Sequence, residues 1–422
     1  MANPKLAMIP TGYKAGKVYS VLPESGVGDF TFDRDSKATR VNENGLIETM
    51  AIDVPRLDYT DGGCPSLLLE PERTNLVTYS EAFDNAYWTK VNSSVAGGFT
   101  SPSGGLSAFK LVEDTGTGFH KIERLGFTTV ANKYSFSLFV KKGERSSISL
   151  ELSNYFLGNT FASFDLIAKT TTSALNATSK ITEIADGWFI CSITSVNNAT
   201  AGTGAYATVY LYDGSSSPSY TGDGTSGVYI YGAQIEQGEY PTSYIPTNGS
   251  TVTRVGETCN GAGDASTFND SEGVLMAEIS ALSDTVSTYN SIGLGNNLAF
   301  NRIGLGFQSP SSVYAYKHDG SSSWLPYQTI NINLFNKVAL SYKTNDNHFW
   351  VNGFKLASNT TIEDVSNISE LDFQASYGGE DFYGNTKQIQ YFDSALTDAE
   401  LETLTSWQSF LEMANGQNYT II

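Results

Sequence analysis

Short runs in which apolar and polar residues alternate recur through much of the 422-residue chain. The cleanest is A-Y-A-T-V-Y-L-Y, residues 205–212. Ala205, Ala207, Val209 and Leu211 fall on one face of an extended strand, and Tyr206, Thr208, Tyr210 and Tyr212 on the other. The runs Y-S-F-S-L-F-V-K-K, S-I-S-L-E-L, W-F-I-C-S-I-T-S-V, G-V-L-M-A-E-I-S, K-V-A-L-S-Y-K and K-Q-I-Q-Y-F predict further strands, and Gly/Ser/Asn clusters separate them. Asn44-Gly45 in V-N-E-N-G-L predicts a hairpin with a two-residue type I′ turn, and Asn352-Gly353 in W-V-N-G-F-K predicts another hairpin. One helix is expected, in L-T-D-A-E-L-E-T-L-T-S-W-Q-S-F-L. Thr397 and Glu400 have capping-box spacing, and Leu401, Leu404, Trp407 and Leu411 form a stripe suited to core packing. The pattern is that of an all-β protein with one C-terminal helix.

Composition agrees. The chain holds 40 Gly, 24 Tyr and 23 Phe, and only 16% of its residues are charged, so Ser, Thr, Asn and Gly must cover much of the surface. The length allows two or three domains. Three regions are predicted: an irregular module over 1–78, a strand-rich region over 79–247, and a second one over 251–422, after a Pro/Asn/Gly link. The hairpin around Asn44-Gly45 poses a problem within the first region. Its strands are short, Pro55 soon interrupts them, and two such strands cannot stand alone in water. Something must cover it.

The net charge of −19 is concentrated late in the chain, where residues 251–422 carry 7 basic and 19 acidic side chains. With no Lys/Arg cluster, a nucleic-acid partner is not expected, and the acidity reads as solubility. Cys64, Cys191 and Cys259 are widely spaced, with no C-x-x-C and no neighbouring His pattern, so free thiols are expected rather than disulfides or structural zinc. The first residues lack a continuous apolar stretch and are broken by Pro4, Pro10 and Gly12, so no secretory signal or membrane insertion is expected.

Three resemblances arise from particular stretches. N-K-V-A-L-S-Y-K, F-W-V-N-G-F-K-L and the closing Y-G-N-T-K-Q-I-Q-Y-F-D-S-A-L-T-D-A-E-L resemble concanavalin A-like jelly rolls of laminin-G type. W-T-K near residue 88 and G-V-Y-I-Y-G-A-Q-I-E-Q-G-E-Y-P-T-S-Y-I-P-T resemble carbohydrate-binding-module jelly rolls. In that family a last-strand aspartate often holds a structural calcium, but Gly232 stands at the comparable place, so the metal is not carried over. K-V-Y-S-V-L-P, F-T-F-D-R-D-S-K-A-T-R-V-N-E-N-G-L-I-E, P-R-L-D-Y and P-S-L-L-L-E-P-E-R-T-N-L resemble modules of bacteriophage head-spike or fibre proteins. These resemblances imply two jelly-roll β-sandwich domains after a small N-terminal module. They also imply a virion component, assembled in the host cytoplasm, whose residues 1–78 dock on capsid or tail proteins or on sister subunits. A homo-oligomer, taken as a trimer, is expected.

The candidate chemistry is binding. Sugars are recognised by aromatic faces aided by polar side chains, which points to Tyr206, Tyr210 and Tyr212, with Tyr229 and Tyr231 on a neighbouring strand, and to Trp324, Tyr327, Tyr377 and Tyr383. Sheet packing is the competing use of these rings. Host-surface glycan attachment is therefore the leading function, with a ligand-free decoration protein and a glycan depolymerase as alternatives. Hydrolysis is disfavoured because Glu370-Leu371-Asp372-Phe373-Gln374-Ala375 departs from the E-x-D-x-x-E pattern of glycan-hydrolysing concanavalin-like folds and lacks its second catalytic carboxylate. No enzyme motif surrounds His120, His318 or His348. No cofactor is expected, although the adjacent Glu380 and Asp381 offer hard oxygens that suit calcium.

Overall fold

The alternating run around Tyr210 forms a single eleven-residue strand, Gly202–Tyr212, whose Ala205, Ala207, Val209 and Leu211 are fully buried. In the computed structural model, which describes residues 3–214, 217–284, 289–375 and 378–407, this strand is central to one of two compact units. That unit comprises Lys37–Thr49 and Glu72–Val255, the other Met1–Ser36, Met50–Pro71 and Gly256–Ile422. The chain is all-β, with one α-helix among the described residues.

The unit holding Gly202–Tyr212 is a sandwich of two six-stranded antiparallel sheets. One runs in the order Thr89–Val91, Lys121–Thr129, Gly202–Tyr212, Ser147–Ser153, Thr160–Asp165, Thr170–Leu175. The other runs Ser93–Phe99, Ala108–Glu113, Gly227–Gln237, Tyr134–Lys141, Trp188–Ser195, Ala177–Glu183. Between them lies a core that includes Trp88, Phe136, Leu138, Ile148, Leu150, Val209, Ile230 and Ile235. Tyr134–Lys141 is buried on both faces except at Lys141. Such two-sided burial requires a cover outside the sandwich, and the Asn-Gly hairpin supplies part of it.

Strands Ala38–Val41 and Ile47–Met50 lay Val41 and Ile47 onto a second apolar layer with Ala108, Phe139, Ile184, Trp188, Tyr231 and Tyr244. Thr39 Oγ1 donates to the Tyr244 carbonyl at 2.6 Å, and the Ile47 amide to the Pro102 carbonyl at 2.8 Å. The turn differs from the type I′ expectation. Gly45 has φ +73°, Asn44 does not share the left-handed region, and the Gly45 amide donates to the Asn42 carbonyl at 2.8 Å. This is a type I turn followed by a left-handed glycine. A Cβ on Gly45 would lie 2.7 Å from that of Ala185, so close docking as well as backbone shape favours glycine. At Asn352-Gly353 both residues have positive φ, 49° and 87°, as a type I′ hairpin requires.

The other unit has an eight-stranded sheet in the order Phe354–Asn359, Asn347–Val351, Asn336–Lys343, Glu272–Ala281, Gly384–Phe392, Ser66–Leu69, Arg56–Asp58, with Leu6–Met8 also on Gly384–Phe392. A six-stranded sheet runs Ser323–Trp324, Ser312–His318, Arg302–Gln308, Asn290–Gly295, Glu370–Asp372, with Tyr327–Thr329 also on Ser312–His318. The helix Asp398–Thr405 begins at the expected Thr397/Glu400 capping box and buries Leu401 beside Met276 and Trp350. Leu411 of the expected stripe lies outside the described residues.

Residues 1–78 do not stand apart as a module. Leu6–Met8, Arg56–Asp58 and Ser66–Leu69 are strands of the eight-stranded sheet, while the hairpin belongs to the other unit. Leu6, Met8, Leu57, Leu67 and Leu69 share a core with Leu275, Ile389 and Tyr391. The motifs T-F-D-R-D-S, P-R-L-D-Y and L-L-L-E-P-E supply a buried ion cluster. Glu257 accepts from Arg34 Nη1 at 2.7 Å, from Arg56 Nε at 2.9 Å, from Arg56 Nη2, and from the Glu70 amide at 2.9 Å. Arg56 Nη1 also donates to Glu70 Oε2 at 2.7 Å. Both arginine side chains and that of Glu257 are fully buried.

Candidate functional site

The outer face of the sheet containing Gly202–Tyr212 carries the tyrosine row predicted from the sequence. Tyr206, Tyr210 and Tyr212 are half-buried there, opposite the side of the strand that enters the core. Six residues of strand separate the ends of the row, ~20 Å at the usual rise. The directly opposed residues on one neighbouring strand are Ser153, Ser149 and Ser147, too small to cover the rings. On the other side, Lys121 stands opposite Tyr210, with its Nζ 5.7 Å from the ring centroid, and Phe119, 47% exposed, meets that ring edge-on. Burial and the hydrogen bond to Glu151 push the Tyr210 hydroxyl pKa up, so the group stays a neutral donor and acceptor. Lys121 and Glu123 pair beside it, 2.5 Å apart. The surface thus offers half-buried aromatic rings beside the Lys121 ammonium and the Glu151 carboxylate, with Thr208 and Glu123 buried between them.

Tyr229 and Tyr231 do not extend that platform. Their strand, Gly227–Gln237, belongs to the opposite sheet of the sandwich. Tyr231 is 4% exposed and packs against Phe139 and Tyr244 beneath the hairpin layer, with its hydroxyl donating to Glu81 Oε1 at 2.9 Å. Tyr229 is half-buried against Phe99. The sequence reading placed them on a neighbouring strand, but long-range pairing that no local pattern encodes assigns the two strands to different layers.

In the other unit, the six-stranded sheet forms a cleft of about 240 Å³ lined by Tyr289, Arg302, Tyr314, Tyr316, Trp324 and Glu380. Of the sequence candidates, Trp324 lines it, and Tyr327 stands opposite Tyr314 in the ladder with 62% of its surface exposed. Tyr383 lies elsewhere, packed against the core with its hydroxyl donating to Asp381 Oδ2 at 3.1 Å. Tyr377 lies outside the described residues. The strand pattern did contain the missed residues. In V-Y-A-Y-K-H, Tyr314 and Tyr316 alternate with core-facing Val313 and Ala315, as in the run around Tyr210. Arg302 and Gly304 pair with His318 and Tyr316, and a Cβ on Gly304 would lie 2.4 Å from the Tyr316 ring, so glycine lets that ring lie close to the sheet.

The acidic motif Glu370-Leu371-Asp372 offers no open pair of carboxylates. Asp372 is 1% exposed, and its Oδ1 accepts from the Gly261 amide at 2.7 Å, while among the described residues no donor reaches its Oδ2. Burial chiefly, with the nearby Glu370, raises its pKa to about 6, against the Gly261 hydrogen bond that lowers it. Among the described residues, no group of three or more His, Cys, Asp or Glu side chains could hold a metal ion. Glu380 accepts from Ser291 Oγ at 3.2 Å. His120 is buried with Nδ1 2.7 Å from the Asn92 carbonyl, and His348 lies 2.9 Å from Asp346. The three cysteines are free, with Cys64 exposed. No described helix is long and apolar enough to cross a membrane.

No protein-family model matches this chain, and no curated protein matches it. Among solved structures, it is similar to the carbohydrate-binding module CBM40 of a Ruminococcus gnavus sialidase bound to α2,3-sialyllactose. That match has a TM-score of 0.30 and 16% identity, covering 35% of this chain and 88% of that one. Domain 4 of a Geobacillus stearothermophilus extracellular arabinanase, in complex with arabinotriose, gives 0.31 and 15%, covering 40% and 83%. The NanB sialidase of Streptococcus pneumoniae gives 0.29 and 16%, covering 35% of this chain and 26% of that one.

Proposed function

We propose that this chain is a non-enzymatic, glycan-binding component of a bacteriophage particle, a head or tail fibre or spike that attaches to host-surface sugar. The observation that carries the binding half is the half-buried row of Tyr206, Tyr210 and Tyr212 on the outer face of the sheet, flanked by Lys121 and Glu151, with Glu123 buried beside them. Stacking faces beside hydrogen-bonding groups are what a sugar chain needs. The row's ~20 Å length suits several consecutive sugar units rather than one. Inward burial of Asp372 supports a binding role over hydrolysis.

The particle half rests on the resemblance of residues 1–78 to virion modules. In this reading those residues play two parts. They complete the sandwiches, and their exposed side chains, Ile9, Tyr19, Val21 and Val27 among them, meet capsid, tail or sister subunits in a homo-oligomer, taken as a trimer.

The test is binding of the intact chain to a glycan array and to whole host cells. Signal that falls at least tenfold in Tyr210→Ala, with an unchanged melting temperature, supports the platform. Absence of binding to every array glycan and every host cell overturns it in favour of a ligand-free decoration role.

A further inference from the structure

We infer that the cleft around Trp324 is a second and different sugar site, one that takes the terminal residue of a neutral glycan end-on. It shares no residue with the tyrosine row and stands independently of it.

Size sets the mode. At about 240 Å³ the cleft falls below the ~300–1,000 Å³ of pockets that enclose drug-sized ligands. It admits one sugar ring, where the open tyrosine row admits a chain. The floor is made by Tyr314 and Tyr316, which are 1% and 5% exposed and stacked with their centroids 6.0 Å apart. Tyr289, 38% exposed, and the half-buried Trp324 leave ring surface at the rim for the C–H face of a sugar.

Charge sets the ligand class. Arg302 brings guanidinium donors, held by its Nε bond to the Ala299 carbonyl at 2.9 Å and by its position 4.8 Å from the Tyr316 centroid. Glu380 brings an acceptor, oriented by Ser291 Oγ at 3.2 Å; Ser291 in turn bonds the Tyr314 hydroxyl. Adjacent sugar hydroxyls both donate and accept, so they satisfy such a pair, whereas a carboxylate or sulfate meets one attractive and one repulsive group. Lys317 also lines the cleft, but its ammonium donates to Asn347 Oδ1 at 2.9 Å in the interior and adds no open cation. His318 Nδ1 accepts from the Gly320 amide at 3.1 Å. The excess of 19 acidic over 7 basic side chains in residues 251–422 further disfavours polyanions.

The test is calorimetric titration of the intact chain with methyl glycosides of glucose, galactose, mannose and N-acetylglucosamine, against methyl glucuronide and sialic acid. At least one neutral glycoside is expected to bind, with affinity insensitive to salt and at least tenfold weaker in Arg302→Gln and in Glu380→Gln. The Trp324 indole N–H resonance, assigned with Trp324→Phe, is expected to shift on addition of that glycoside, which needs no destabilising variant. Binding of the acidic sugars alone, binding unchanged in both variants, an unmoved Trp324 resonance, or no neutral binding at all would each overturn the inference.

Discussion

Glu257 sits at the centre of the buried ion cluster of the unit that holds Arg34 and Arg56. Its carboxylate receives two arginines and a backbone amide in a site closed to water. In Glu257→Ala, Arg34 and Arg56 remain buried with a carboxylate removed from between them. Losing one partner of a buried pair typically costs ~3–5 kcal/mol, because the remaining charge keeps its desolvation penalty. For a domain of ~150–250 residues each kcal/mol moves the melting temperature by ~2–4 °C, so the expected drop is about 6–20 °C. Scanning calorimetry reads this, and the transition of the other sandwich is expected to stay in place. The double variant Glu257→Ala/Arg56→Ala should lose less than the sum of the singles, since the two side chains share one network. A melting temperature within ~2 °C of the parent would refute the reasoning, because a site open to solvent would be expected to give only the ~0–1 kcal/mol of a surface pair.

Other outcomes follow from the same geometry. Asp372, raised to about 6 from 3.8, is easier to protonate folded than unfolded, so stability should fall as pH rises through the window between those values. Asp372→Asn should flatten that slope and add ~2–3 kcal/mol at pH 7.5, read by urea unfolding; an unchanged slope would contradict it. A chain of residues 79–422 loses Leu6–Met8, Arg56–Asp58 and Ser66–Leu69 from the eight-stranded sheet, and with them both arginines facing Glu257. It should fail to fold natively by circular dichroism and size exclusion, and a monodisperse product with the parent's spectrum would count against the assignment. Gly45→Val places a branched side chain at φ +73° against Ala185 and should lower the melting temperature of the sandwich that the hairpin covers; an unchanged melting temperature would argue against that docking.

Strands were legible because their rule is local. The alternation around Tyr210 marked both the core face and the outward-facing tyrosine row, and Thr397 with Glu400 marked the helix start. The same rule, applied to Val313–His318, would have pointed to Tyr314 and Tyr316. What local pattern could not convey was partnership. Tyr229 and Tyr231 alternate as cleanly as Tyr210 does, yet the hairpin layer buries Tyr231. No local pattern joins Arg34, Arg56, Glu70 and Glu257 into one buried cluster, because the separation from Arg56 to Glu257 is 201 residues. The hairpin at Asn44-Gly45 was correctly read as unable to stand alone, but the surface that covers it lies within the chain itself.

The central claim is that the Tyr206–Tyr212 row binds a glycan on the host surface. Its most direct measurement is binding of the intact parent chain and of Tyr210→Ala to the same glycan array and host cells. The prediction is saturable binding by the parent and a loss of at least tenfold, ~1.4 kcal/mol, in a variant with the parent's melting temperature. Equal binding by the two proteins, or none by the parent, would contradict it.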